Sequence, residues 1–368
     1  MNITAALSRG PKTPFTLETI TMAPLRDDEV RVRLVAAGMC HTDLVSKAGM
    51  PAEPGAVFGH EGAGIVEAVG AGISGVDVGD KVLLTFRSCG QCHACAQGTP
   101  GYCDAFVALN SSGLRADGSV TLTQDGKPLR GSFFGQSSFA SHAIASQDNV
   151  VVVDPETDLA AVAPFACGFM TGAGAVVNVL APDPEARVIV YGAGGVGMAA
   201  VMAAAALGVR TIVAVDLSEE RREAALALGA TAVVDGRSDD LVKLLAEATG
   251  GGATHAVDTT AVPSVISSAV AALAPQGTLV LLGLGAPEVT FNVMDLITSG
   301  KTVRGCIEGD ADPQVFIPQL VRWHAEGKFP LEKIVRHYAF ADINTAMADS
   351  VSGSAIKPVL VFDEPSAR

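Results

Sequence analysis

Four cysteines in one short run, Cys89-Gly-Gln-Cys92-His-Ala-Cys95 followed by Cys103, carry the most specific chemical signal in the chain. Short Cys-x2-Cys steps let one loop wrap a single zinc ion, and four thiolates complete its tetrahedron. Such a site is closed to substrate, so its expected role is structural. Two disulfides are the competing reading, but nothing else in the sequence looks secreted. Of the three remaining cysteines, Cys40 and Cys167 sit in contexts that suggest a second, open metal site, and Cys306 is left unassigned. Cys40 ends an apolar run in Gly38-Met39-Cys40-His41-Thr42-Asp43. His60 and Glu61 lie in Gly59-His60-Glu61-Gly62, and Cys167 opens Cys167-Gly168-Phe169-Met170-Thr171. Taken one at a time, Cys40 and Cys167 each read first as a small buried hydrophobe.

A second chemistry lies at Val188-Ile-Val-Tyr191, which runs into Gly192-Ala193-Gly194-Gly195-Val196-Gly197 and an alanine-rich stretch. In this strand–turn–helix setting Gly192 allows the tight turn, Gly194 lets backbone approach a pyrophosphate, and Gly197 lets helix and strand pack closely. The helix N-terminus, with Gly195 and Val196 in its first turn, then offers N–H groups to the phosphates. The next apolar strand ends in Asp216, placed to grip an adenosine ribose and to repel a 2′-phosphate, so NAD is the expected cofactor. Arg221 stands close enough in sequence to help bind a phosphate. Asp216 also reads as a cap for a helix starting near Ser218.

The elements that must position these residues fall into two textures. To about residue 155 the chain alternates apolar and polar residues and is punctuated by turns, with Val30, Val32 and Leu34 on one face. Residues 107–135 read as a long excursion with hairpin turns at Asp117-Gly118 and Asp125-Gly126. From near 165 strand and helix alternate: strands at 187–191, 211–216, 231–234, 254–258 and 277–282, helices at 195–208, 218–228, 238–248 and 262–274. That succession predicts an α/β protein with a doubly wound parallel sheet. A helix bearing Trp323 and a β-like tail at 356–362 follow, the tail expected to rejoin the first domain. The domain expectation is 1–165, completed by about 312–368, with 166–311 between them.

The 368 residues suit two such domains, and 49% hydrophobic content with only 5% aromatic and 40 glycines fits buried Val- and Ala-rich elements. A net charge of −14 argues against nucleic acid or an anionic membrane as partner. The uncharged stretches 159–182, 188–209 and 259–287 are broken by Gly or Pro and read as buried βαβ units, not membrane spans. The start of the chain lacks a basic segment followed by an apolar run. A cytoplasmic location is expected.

Together, and in this order along nearly the whole chain, these motifs resemble the zinc-dependent medium-chain alcohol dehydrogenase family. The resemblance implies a Rossmann cofactor domain joined to a β-rich GroES-like catalytic domain, and two zinc ions per chain. It implies that Cys40, His60 and Cys167 hold a catalytic zinc while Cys89, Cys92, Cys95 and Cys103 hold a structural one. Asp43 would orient His60, Glu61 would sit behind the metal, and Thr42 would hydrogen-bond the alcohol oxygen. Asp216 and Arg221 match adenosine-ribose positions, and Lys357 matches a basic residue near the pyrophosphate. The chemistry agrees: zinc can lower the pKa of a bound water from about 15.7 to about 7, and a bound alcohol should behave similarly.

Two positions depart from the family pattern. Val45 stands where many members carry a proton-relay histidine, leaving His41 or water to complete the relay. His41 itself stands where several relatives have an arginine near the pyrophosphate. Within the family, the stretches around Cys40 and Cys167 look most like aryl-alcohol dehydrogenases. By position Phe86, Phe133, Phe134 and Leu284 should line the substrate channel, although each Phe reads equally as core. The expected reaction is reversible oxidation of an aromatic or other bulky apolar primary alcohol to its aldehyde. The alternatives are an aliphatic or terpenoid alcohol dehydrogenase, a thiol-dependent formaldehyde dehydrogenase using Arg115 or Arg130, and a non-enzymatic nucleotide-binding protein. The 107–135 insertion matches dimeric relatives, so a homodimer is expected.

Overall fold

The computed structural model describes residues 1–51 and 53–362. Its contacts divide the chain into two compact units, one formed by Met1–Cys167, Asp312–Val321 and Ile334 onward, the other by Gly168–Ala311 and Arg322–Lys333.

In the first unit the strand Glu29–Gly38 is the spine. Val30, Val32 and Leu34 are buried on one face, while Arg31 and Arg33 emerge on the other and each pair with Glu67 at 3.5 Å, the two-residue period of a strand with one wet face. Along one edge it pairs with Glu61–Val69. Along the other its first half pairs with His142–Ser146 and its last three residues with Lys357–Val361. The C-terminal tail is thus a strand of the first unit. With Lys81–Leu84, Val150–Val152 and Val335–Ala339 these make a seven-stranded sheet, and a second sheet of five strands starts from Asn2–Ser8 and Thr16–Met22. Of the two turns expected in the 107–135 excursion, Asp125-Gly126 joins a hairpin, Leu122–Gln124 with Lys127–Leu129, whereas Asp117-Gly118 lies in a turn outside any paired strands. It is fastened to the spine by Arg115, whose buried guanidinium donates to both oxygens of Glu29 at 2.5 and 2.9 Å and to the Val120 carbonyl at 2.7 Å.

The second unit is a six-stranded parallel sheet in the order 3-2-1-4-5-6: Ala232–Asp235, Thr211–Asp216, Arg187–Tyr191, Ala253–Asp258, Leu273–Leu281, Thr302–Gly305. Its central strands are nearly continuous apolar runs because both faces are covered, and Ile189, Val213, Leu245, Ile266 and Leu279 pack into one core cluster. Helices lie close to the expected spans, at Gly195–Ala206, Glu219–Ala227, Leu241–Thr249 and Pro263–Ala271. The sixth strand and the helix Val293–Ser299 before it were not anticipated, nor were Val335–Ala339 and the helix Ile343–Ser352. Among the described residues no single helix is long and apolar enough to cross a membrane.

Candidate metal and cofactor sites

The turn after the spine strand builds the first site. Cys40 is the N-cap of the helix His41–Gly49, and its backbone N–H donates to Asp43 Oδ2 at 3.0 Å. Asp43 is fully buried, and its other oxygen accepts from Gly59 N at 3.1 Å and from His60 Nδ1 at 2.8 Å. With Nδ1 engaged by Asp43, the other ring nitrogen, His60 Nε2, is buried with no hydrogen-bond partner. Around it the ligand atoms of Cys40, His60, Glu61 and Cys167 all lie within 4.8 Å of one another. A hydrogen bond from Cys167, together with His60, draws the Cys40 thiol well below its ordinary pKa against the effect of burial. Burial opposes protonation of His60, but the Asp43 carboxylate and Cys40 outweigh it and raise the imidazole well above its usual value. Two cysteine sulfurs and the orphaned nitrogen of one imidazole are a donor set that fits zinc.

Glu61 is also fully buried, and its carboxylate pairs with Lys357, whose Nζ further donates to the Met39 carbonyl at 3.1 Å. This corrects the expectation for Lys357. Its ammonium is buried against Glu61, not turned outward to a phosphate. Thr42 Oγ1 lies 3.7 Å from Cys40 Sγ, whereas His41 and Val45 face outward from the same helix.

Of the four expected channel residues, three are buried. Phe133 and Phe134 pack on the His60 ring, edge-on at 5.6 Å and tilted at 4.6 Å between centroids. Phe86 meets Phe106, and Phe106 meets Phe134 edge-on. Leu284 belongs to the other unit and is 63% exposed. Two residues of this wall escaped the sequence reading. Phe106 follows the last cysteine of the four-cysteine loop, a context that advertised only metal. Gln136 is fully buried, accepts from Gly62 N and donates to the carbonyls of His60, Leu84 and Thr85. It fixes a turn in which Phe134 and Ser137 both take positive φ, 49° and 52°.

Cys89, Cys92, Cys95 and Cys103 converge as a second set within 4.8 Å. Backbone N–H groups point at the sulfurs, Cys92 N to Cys89 Sγ at 3.3 Å and Cys89 N to Cys103 Sγ at 3.2 Å. Donation from the backbone of Cys95 and Asp104 lowers the Cys92 thiol to about 6, whereas burial pushes the Cys103 thiol up to about 12.

In the second unit the Gly-rich turn leaves the central strand and enters the helix Gly195–Ala206. A Cβ on Gly197 would stand 1.8 Å from the Gly192 carbonyl, so only glycine lets helix and strand approach this closely. One on Gly194 would project into open space where a pyrophosphate fits. Asp216 Oδ2 accepts from Ala193 N at 2.7 Å and Oδ1 from Ser218 N at 2.9 Å, tying the end of the second strand to the Gly-rich turn. Ser218 is the actual helix cap. Arg222, not Arg221, bonds the Asp216 carbonyl, at 2.8 Å.

Residues 26–155 match the alcohol dehydrogenase GroES-like domain and residues 195–326 the zinc-binding dehydrogenase domain. The chain is 43% identical over 362 residues to a geraniol dehydrogenase of Castellaniella defragrans, covering 97% of each chain. Among solved structures, an alcohol dehydrogenase zinc-binding domain protein from Burkholderia ambifaria shares 44% identity with a TM-score of 0.96. The benzyl alcohol dehydrogenase of Acinetobacter calcoaceticus shares 38% with a TM-score of 0.94; in both cases 99% of this chain and all of the other are covered. The chain belongs to the zinc-dependent medium-chain alcohol dehydrogenase family, with a GroES-like unit and a Rossmann-type unit, and membership implies zinc and NAD(H).

Proposed function

We propose that this alcohol dehydrogenase oxidises primary alcohols whose carbinol carbon adjoins a flat or bulky apolar group, benzylic or allylic, using NAD. Cys40, His60 and Cys167 would hold the catalytic zinc, Cys89, Cys92, Cys95 and Cys103 the structural one. The observation that carries the substrate reading is the Phe133–Phe134 wedge packed on the ring of His60. Aromatic walls favour flat π-bearing groups by roughly 0.5–1.5 kcal/mol beyond area burial. The names of the geraniol and benzyl alcohol dehydrogenases it resembles point the same way.

When bound, zinc supplies Lewis acidity to the alcohol oxygen and NAD accepts the hydride. The chain's own residues do the rest. Asp43 keeps the His60 proton on Nδ1, and the buried Glu61–Lys357 pair closes the floor behind the ligands. The Thr42 hydroxyl passes on the alcohol proton. Asp216 grips the adenosine ribose and disfavours NADP. The thiol-dependent alternative is less favoured, since of its two candidate cations Arg115 is clamped on Glu29, while Arg130 donates one bond to the Ser112 carbonyl.

A substrate panel with NAD tests the reading. Benzyl alcohol and geraniol should each exceed ethanol in kcat/KM by at least ~10-fold, about 1.4 kcal/mol of differential transition-state binding. Ethanol matching them would overturn the substrate class and leave the dehydrogenase intact.

A further inference from the structure

Three consecutive residues, Glu308, Gly309 and Asp310, have φ of 52°, 70° and 48°. A full left-handed turn with side chains at two of its three positions is costly for L-residues and survives only where the surroundings over-determine it. Here they do. Asn178 Nδ2 donates to the Gly309 carbonyl at 3.0 Å, and Asp310 pairs with Arg304. The Cys306 sulfur takes the Gly309 N–H and meets the Asp310 carboxylate. The helix Gly168–Gly174 comes so close that a Cβ on Gly174 would stand 2.4 Å from the Gly309 carbonyl. The turn holds the Glu308 side chain inward, 7% exposed, where Oε2 accepts from Thr171 Oγ1 at 3.3 Å.

Its place in the sheet gives this carboxylate a target. Dinucleotides lie outside the carboxyl ends of the strands, across the point where strand order reverses. The Gly-rich turn ends the first strand and Asp216 the second, so the adenosine half lies toward strands two and three. The nicotinamide half must then extend over strands four, five and six. Glu308 stands just past the end of the sixth, Thr302–Gly305. Its partner Thr171 is on the same helix as Gly172, where a Cβ would meet the Val196 carbonyl of the Gly-rich motif at 1.9 Å.

We infer that Glu308 sets the redox preference of the bound cofactor: its buried carboxylate favours the cationic oxidised nicotinamide over the neutral reduced ring. The inference rests on the NAD reading above. Hydride transfer removes the positive charge of the ring, so a fixed anion at that end tightens NAD+ and leaves NADH nearly unaffected.

The test is cofactor binding to the zinc-loaded enzyme, by calorimetry for NAD+ and by nicotinamide fluorescence for NADH, in wild type, Glu308→Asp and Glu308→Asn. Asp and Asn both tolerate left-handed backbone, so the pair differs in charge alone, and Glu308→Gln serves as a second neutral variant of full length. The ratio Kd(NAD+)/Kd(NADH) should rise about fivefold or more in the neutral variants, the scale of one partly screened charge pair. It should hold within twofold in Glu308→Asp, and ADP-ribose, which lacks the ring, should bind all of them alike. An unchanged ratio in variants that bind both nucleotides overturns this inference alone, as do equal losses for both. Wild type binding neither nucleotide overturns the NAD reading and this inference with it.

Discussion

The carboxylate of Asp43 accepts three N–H bonds, from Cys40, Gly59 and His60, so one side chain orients two of the proposed ligands. Asp43→Asn should therefore loosen the catalytic metal about 10–100-fold, seen as faster zinc loss to a chelator, with the four-cysteine site retaining its ion. Zinc release indistinguishable from wild type would remove that role from Asp43. Thr42 makes a sharper kinetic case. Thr42→Ser keeps the hydroxyl and should be mild, whereas Thr42→Ala should lower kcat by ~10²-fold or more. Val45 lies one position beyond the first turn and is 44% exposed, so a histidine fits there without repacking. Val45→His should raise alcohol oxidation near neutral pH if deprotonation limits turnover, and a deuterated alcohol tells whether a chemical step limits at all.

At the scale of elements, what was legible followed from covalent spacing and periodicity. Both cysteine sets, the Gly-rich turn and the first five parallel strands announce themselves because each needs particular residue types at fixed intervals. The strand Thr302–Gly305 has only four residues, three exposed and one half-buried, and carries no apolar run to mark it. Gln136 and Lys357 were opaque for a different reason. A glutamine's four hydrogen bonds, or a lysine turned inward onto a buried glutamate, depend on tertiary burial that no local pattern encodes. Burial also leaves a flaw that can be tested. Tyr191 ends the central strand fully buried, with no hydrogen-bond partner for its hydroxyl among the described residues. Tyr191→Phe should remove that penalty and raise the melting temperature by ~1–3 °C, about 1 kcal/mol or less. A lower melting temperature would mean that the hydroxyl is satisfied by water. Cys92→Ser should act oppositely, since a structural zinc contributes folding free energy directly.

For the whole molecule, the sheet of the second unit ends on Thr302–Gly305, whose outer edge has no strand beside it among the described residues. An open edge is a template for pairing unless it is blunted by charge, a bulge or a covering element. Beside it in sequence, the helix Val293–Ser299 exposes Val293, Met294 and Ile297 at 60–67%, and Ile307 just past the strand is 43% exposed. Exposed apolar side chains near an edge strand in sequence make this stretch a candidate contact surface. A second copy related by a two-fold axis would cover both at once: the two edges would pair and the apolar helix faces would meet, an isologous contact that closes. The homodimer expected from the sequence is thus proposed here with a definite surface. Ile297→Glu would bury like charges on opposite sides of that contact. Light scattering after gel filtration should then show a dimer for wild type and a monomer for the variant. A wild-type monomer, or an Ile297→Glu dimer of unchanged affinity, would move the interface elsewhere. Because Glu308 follows the same strand, the monomeric variant should also bind NAD+ less selectively over NADH if pairing holds that left-handed turn in place. Comparing the two Kd values in dimer and monomer measures how far assembly reaches into the cofactor site.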